Sequence, residues 1–150
     1  LTRMIQAIAL YGSSSSSRQI NSQPVQQLLN ALCGILAQNK AQFSTMQIVT
    51  CITALADLDH YSEAVCLAVS KIACRSLRHW EPDQIAGLVQ GLVRFRYRDD
   101  LLLQAVVRYL SAPDQIGQLS AAAAADLLAG LLQLGYRGND VEGLATSVLR

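Results

Sequence analysis

The sequence predicts an all-α fold, an α-solenoid of about three to four helix-turn-helix repeats, and three observations carry that expectation. Hydrophobic residues make up 51% of the 150-residue chain and aromatic residues only 5%. The apolar content is therefore chiefly Leu, Ala, Val and Ile, a mixture suited to closely packed helices. Leucine-rich runs end in related turns: Leu58-Asp59-His60-Tyr61, Phe95-Arg96-Tyr97-Arg98-Asp99-Asp100 and Leu134-Gly135-Tyr136-Arg137-Gly138-Asn139-Asp140. Finally, Leu55, Leu92 and Leu131 recur at intervals of 37 and 39 residues, each after a small residue, Ala54, Gly91 or Gly130. A small side chain there lets two helices cross closely. Units of this length match repeats in which each helical hairpin is stable only by stacking on its neighbours. Units are expected at about 1–41, 43–80, 81–119 and 120–150, in one continuous array.

Taken in order, residues 2–11 read as the tail of an amphipathic helix with Met4, Ile5, Ile8 and Tyr11 on one face. A Ser-rich loop at 12–20 follows. Asn21 or Ser22 caps the next helix and Pro24 suits its first turn, with Leu28, Leu29, Leu32, Ile35 and Leu36 as the buried stripe. Ser44 with Gln47 is a capping-box signal opening a helix through Asp57. Ile48, Cys51, Ile52, Leu55 and Leu58 form its inner face, opposite Gln47, Thr50, Thr53 and Asp57. Ser62 starts a helix to about Arg78 that buries Val65, Cys66, Val69, Ile72 and Ala73.

Pro82 begins the next unit, whose first helix buries Ile85, Leu88, Val89, Leu92 and Phe95. Asp99 or Asp100 caps a helix through Tyr109, and residues 113–119 form a turn with room for one short helical turn. Ser120 opens the last unit: a helix over 121–134, then Gly135-Tyr136 and a helix from about Asp140.

The net charge is only +1, yet it is uneven: residues 71–98 carry net +4 and residues 99–150 net −3. A basic band can meet phosphates, although a charge run also serves as a solvated face. Only 15% of residues are charged, against roughly a quarter in an ordinary soluble chain, which points to surface covered by other repeats or a partner. Cys33, Cys51, Cys66 and Cys74 lack CxxC spacing and lie in apolar patterns, so they read as buried, reduced thiols of a reducing or organellar interior. His60 and His79 are not spaced to complete a zinc site with them. The longest apolar stretch, residues 121–134, is interrupted by Asp126 and does not read as a membrane span. The chain opens at Leu1 and closes within a helical pattern at Arg150, as a processed or partly observed product would.

The period of 37 to 39 and the turns at residues 95–102 and 134–140 resemble the octotricopeptide and heptatricopeptide repeats. They are also similar to the helical repeats of FAST-kinase-like and RAP-domain proteins. The similarity is strong over residues 43–150 and weak over 1–41; Trp80-Glu81-Pro82 only faintly echoes the family's Trp-Pro signature, and no RAP domain is visible. The resemblance implies an organellar RNA-binding solenoid, in the mitochondrion or alternatively the chloroplast. Its partners would be rRNA or another organellar RNA and neighbouring proteins of a large complex, such as a mitochondrial ribosome. No membrane, no small-molecule substrate and no cofactor are expected.

In such arrays the first helices line the inner surface, so Gln47, Thr50 and Thr53 are candidates to face bases, with Asp57, Gln84, Gln90, Arg94, Asp126 and Gln133 in the same stripe. Lys71, Arg75, Arg78, Arg94, Arg96, Arg98 and Arg108 are candidates for phosphate contact, with Gln84 and Gln90 beside them. The competing reading pairs Arg96 or Arg98 with Asp99, Asp100 or Asp59 in adjacent turns. Tyr97, Tyr136 and His60 share one turn position and read first as rings wedged between hairpins, as does Trp80 at a unit boundary. No nucleophile–base pair, glycine-rich phosphate loop or His-Arg-Asp sequence is present, so no enzyme is expected. The alternative function is a protein–protein scaffold.

Overall fold

A computed structural model describes Arg3, Ala7 and residues 23–38, 43–137 and 139–148. The apolar face at Met4, Ile5, Ile8 and Tyr11, the Ser-rich loop and the caps Asn21 and Ser22 lie outside the described residues. Among those described, the chain is all-helical: eight α-helices, one 3-10 turn and no strand. The helices are α1 (Gln23–Gln38), α2 (Thr45–Asp57), α3 (Glu63–Ser76), α4 (Pro82–Arg94), α5 (Asp100–Leu110), α6 (Pro113–Ile116), α7 (Ala121–Gln133) and α8 (Asn139–Val148). The 3-10 turn is Leu77–His79. Two compact parts divide the chain, residues 1–69 and 70–150, with the division inside α3.

In the first part, α2 begins where the sequence says it should. Ser44 Oγ accepts from the Gln47 N–H (3.3 Å) while Gln47 Oε1 accepts from the Ser44 N–H (3.0 Å), so two donors that a helix start leaves orphaned are satisfied reciprocally. Its apolar stripe, Ile48, Cys51, Ile52 and Leu55, is buried, as are Val65, Cys66 and Val69 of α3. In α1 the stripe runs through Leu29, Leu32, Cys33 and Leu36, all buried. Leu28 and Ile35 were expected in it and stand outside, 41% and 45% exposed. The i, i+3, i+4, i+7 ladder is completed by Cys33, and Leu28 and Ile35 lie one step round the helix from it.

In the second part the main pairing is α4 with α7, while α5 packs with α8, α6 and the 3-10 turn. Ile85, Leu88, Val89 and Leu92 of α4 and Leu102, Leu103, Val106, Val107 and Leu110 of α5 are fully buried, with Leu127 and Leu131 of α7. Phe95 is half-buried. Asp99 is the N-cap of α5, its Oδ1 accepting from the N–H groups of Leu101 and Leu102 (both 3.1 Å). The helix α3 ends at Ser76, two residues short of expectation. Ser76 Oγ donates to the Ile72 carbonyl (2.7 Å) and accepts from Trp80 Nε1 (3.0 Å), which holds the buried indole against the end of the helix. One thiol also departs from expectation: Cys33, Cys51 and Cys66 are buried but Cys74 is exposed. Ala73 takes the inward position of that turn at 0% exposure, and Cys74 follows it about 100° round the helix.

The repeat is visible as local geometry. The helices α2, α4 and α7 are each 13 residues long and are capped by Ser44, Glu81 and Ser120, spaced 37 and 39 apart. Each ends in the same turn. The N–H groups of His60, Tyr97 and Tyr136 reach back to the carbonyls of Leu55, Leu92 and Leu131 at 2.9, 3.0 and 2.9 Å. Those of Asp59, Arg96 and Gly135 bond to Ala56, Val93 and Leu132. This is the Schellman closure, which requires a left-handed residue after the helix; Asp59 (φ 50°), Arg96 (φ 53°) and Gly135 (φ 69°) supply it. The following helices α3, α5 and α8 begin at Glu63, Asp100 and Asn139, on the same two intervals. The two extra residues of the longer interval lie between α5 and α7, where α6 is inserted.

Candidate nucleic-acid interface

The turn after α4 places Arg96 and Arg98 on an open cleft of about 510 Å³ whose other walls are Val93, Gln133 and Leu134. Arg96 stands at the left-handed corner, and its exposed side chain leaves from the tip of the turn. Arg98 is more tightly held. Its Nε donates to Asp100 Oδ1 (2.7 Å), and Nη1 donates to the carbonyls of Gly135 (3.1 Å) and Leu134 (3.4 Å). These carbonyls lie at the C-terminal end of α7, where unsatisfied oxygens and the helix dipole concentrate negative charge. The guanidinium is thus drawn to the cleft by α7 itself, and the expected pairing with an adjacent acid is realised at Arg98.

Other candidates sit apart from the cleft. Lys71 and Arg75 are exposed on α3, and Arg78 is exposed in the 3-10 turn, its Nε donating to His79 Nε2 (3.2 Å). Arg108 is exposed in the last turn of α5. Arg75, Arg94 and Arg108 all occupy last turns, where a cation is favoured by the helix dipole whatever else it does.

The amide candidates divide by role. Gln47 is committed to its capping box, and Gln84, 37 residues on, repeats that role: its Oε1 accepts from the Glu81 N–H (3.4 Å). Gln90 reaches from α4 to α7, where its Nε2 donates to the Asp126 carbonyl. Thr53 is exposed and Thr50 half-buried on α2. Asp57, Arg94 and Gln133 share one register position, the last residue of α2, α4 and α7.

Two linking contacts had no sequence signal. In α7 the third helical position is Ala123, which cannot return a bond to the cap, and the Ser120 N–H is instead accepted by Asp83 Oδ1 (3.0 Å) from the first turn of α4. In the first part, Nδ1 of the buried His60 pairs with Gln26 Oε1 of α1 (3.0 Å), while its Nε2 has no partner among the described residues. Burial lowers the His60 pKa. Burial also pushes the Cys66 thiol up to about 12 and raises Cys33, so both are neutral thiols at pH 7. No three His, Cys, Asp or Glu side chains among the described residues are grouped to hold a metal ion. No helix among them is long and apolar enough to cross a membrane. Comparison with protein-family models, with curated proteins and with solved structures returned no match.

Proposed function

We propose that the chain is an RNA-binding helical-repeat protein, an α-solenoid in which the ends of the leading helices α4 and α7 and the turns after them meet single-stranded RNA. One observation carries the reading: two arginines and an amide, Arg96, Arg98 and Gln133, line one open cleft where α4 and α7 end. Guanidinium groups suit a phosphate, and an adjacent amide suits the edge of an unstacked base. The solenoid is supported by the shared register of caps, helix lengths and turns. The Arg98 contact to Gly135 is one link between successive helix pairs. The organellar setting, in a mitochondrial ribosome or another ribonucleoprotein, rests on the repeat resemblance alone.

The test is binding of a mixed-sequence single-stranded RNA across a salt series. Contact through the cleft predicts log affinity falling with log salt by roughly 0.7 per phosphate engaged. Arg96→Gly combined with Arg98→Ala is expected to lower both affinity and slope. No binding at low salt, or an unchanged affinity in that variant, overturns the reading. A second reading, a protein scaffold, is favoured by Leu101 and Leu132, which stand 76% and 58% exposed.

A further inference from the structure

The way α4 holds α7 defines a set of positions, and the same positions on α7 are largely exposed and hold no such partner helix among the described residues. Asp83 accepts from the Ser120 N–H, Gln90 donates to the Asp126 carbonyl, and Val89, Gln90 and Val93 surround Gly130 closely. A Cβ built on Gly130 would lie 3.0 Å from Val89 Cγ1 and 3.3 Å from both Gln90 Nε2 and Val93 Cγ2, so side chains of α4 rest closely against the α7 backbone there. Moved on by the 39-residue interval, Asp83, Val89, Gln90 and Val93 become Ala122, Leu128, Ala129 and Leu132. On α7 these four residues, with Ala125 between them, form a wholly apolar strip. Ala122, Ala125 and Ala129 are exposed, Leu128 is half-buried and Leu132 is 58% exposed.

A terminal repeat that closes an array carries a polar outer face. This strip is the reverse, more apolar than its counterpart on α4, which is already covered by α7. We infer that the outer face of α7 is a docking surface for the leading helix of a further helix pair of the same kind, in continuation of the α4–α7 interface.

The chemistry of the strip specifies the occupant. Leu128 and Leu132 are bulkier than Val89 and Val93, so the incoming helix carries Gly at its tenth position, where Gly91 and Gly130 stand in α4 and α7. Ala122 cannot accept a hydrogen bond as Asp83 does. The incoming helix therefore satisfies its own cap with Gln or Glu at the third position, as Gln47 and Gln84 do in α2 and α4. A helix with Ala at that position, as α7 has, would leave its cap N–H without a protein acceptor.

The experiment extends the chain by one period, residues 112–150 repeated after Arg150, with and without A123Q in the added copy. The expected result is a single unfolding transition with Tm raised by roughly 5 °C or more. Slowed hydrogen exchange in the added leading helix should accompany it. A123Q raises Tm further, and Leu132→Asp in the original copy cancels the gain. In the unextended chain Leu132→Asp is expected to leave Tm nearly unchanged, because the side chain is exposed. An added segment that exchanges freely, with Tm unmoved, overturns the inference. So does an unextended chain that is a dimer and becomes a monomer on Leu132→Asp, which would assign the face to a second copy. Neither outcome bears on RNA binding at the cleft.

Discussion

Arg98 Nη1 lies 3.1 Å from the carbonyl oxygen of Gly135, a contact across 37 residues that joins the turn after α4 to the turn after α7. A charged donor to a carbonyl contributes about 1.5–3 kcal/mol when buried. The side chain is 47% exposed, so solvent screening brings the expected loss in Arg98→Ala to about 1 kcal/mol. Arg98→Lys should recover only part of it. An ammonium cannot hold Asp100 on one edge and the α7 carbonyls on another as the guanidinium fork does. Asp100 is 65% exposed, and Asp100→Asn should change stability by only a few tenths of a kcal/mol. Chemical denaturation midpoints of the three variants separate these effects, and equal losses in all three would contradict this account.

Gly130 sits where α7 touches α4 most closely. Replacing a helical glycine by alanine ordinarily gains up to about 1 kcal/mol. Here the new Cβ meets Val89 Cγ1 at 3.0 Å, and Val89 is completely buried, in an interior whose close packing resists displacement. Overpacking of this kind costs about 1–3 kcal/mol, so Gly130→Ala is expected to destabilise by about 1 kcal/mol net. In a Val89→Ala background the closest obstruction is gone and the 3.3 Å approaches to Gln90 Nε2 and Val93 Cγ2 are left, so the same change should lose most of its cost. Gly143, with nothing within 4 Å of a built Cβ, is the control: Gly143→Ala should raise stability. A double-mutant cycle of Gly130→Ala with Val89→Ala measures that coupling directly.

Arg96 occupies a left-handed backbone position at φ 53°, which a residue with a Cβ adopts at a cost of about 1 kcal/mol. The equivalent residue after α7 is Gly135, already free of that cost. Arg96→Gly is therefore expected to stabilise the fold by about 0.5–1 kcal/mol while removing a guanidinium from the cleft. Higher Tm together with weaker RNA binding is the expected pair of results. Lower stability would mean that the arginine side chain holds the turn, and the phosphate role would lose its separate support.

Much of the local structure is readable because it is set within a few residues. The box at Ser44 and Gln47, the cap at Asp99 and the three Schellman turns each involve groups no more than five residues apart. Periodicity also located the buried stripes of α2 and α4. It could not find Asp83 beneath Ser120 or Gln90 beneath Asp126, because an exposed polar residue on a helix has the same signature whether it faces water or a carbonyl 36 residues away. Gln84 illustrates the intermediate case. Its capping role was available from its alignment with Gln47, yet its polar-stripe position suggested a base contact instead. The arginines were equally ambiguous, since the end of a helix attracts a cation for the same electrostatic reason that a phosphate does.

His60 replaces, in the first of the three turns, the tyrosines at 97 and 136, and it brings a titratable ring into a buried position beside Gln26. Burial lowers its folded-state pKa below the ordinary value of 6.5, so between the two values the unfolded chain binds the proton more readily. Stability therefore has its full value above about pH 6.5 and falls as the pH drops toward the folded-state pKa, below which this contribution levels off. Protonation would also charge the Nε2 edge, which has no partner among the described residues. The free energy of unfolding, measured by denaturant between pH 7.5 and 5, should decline in the parent chain. His60→Tyr, which installs the residue used at the other two turns, should flatten that decline; an equally steep decline in the variant would remove His60 as its cause.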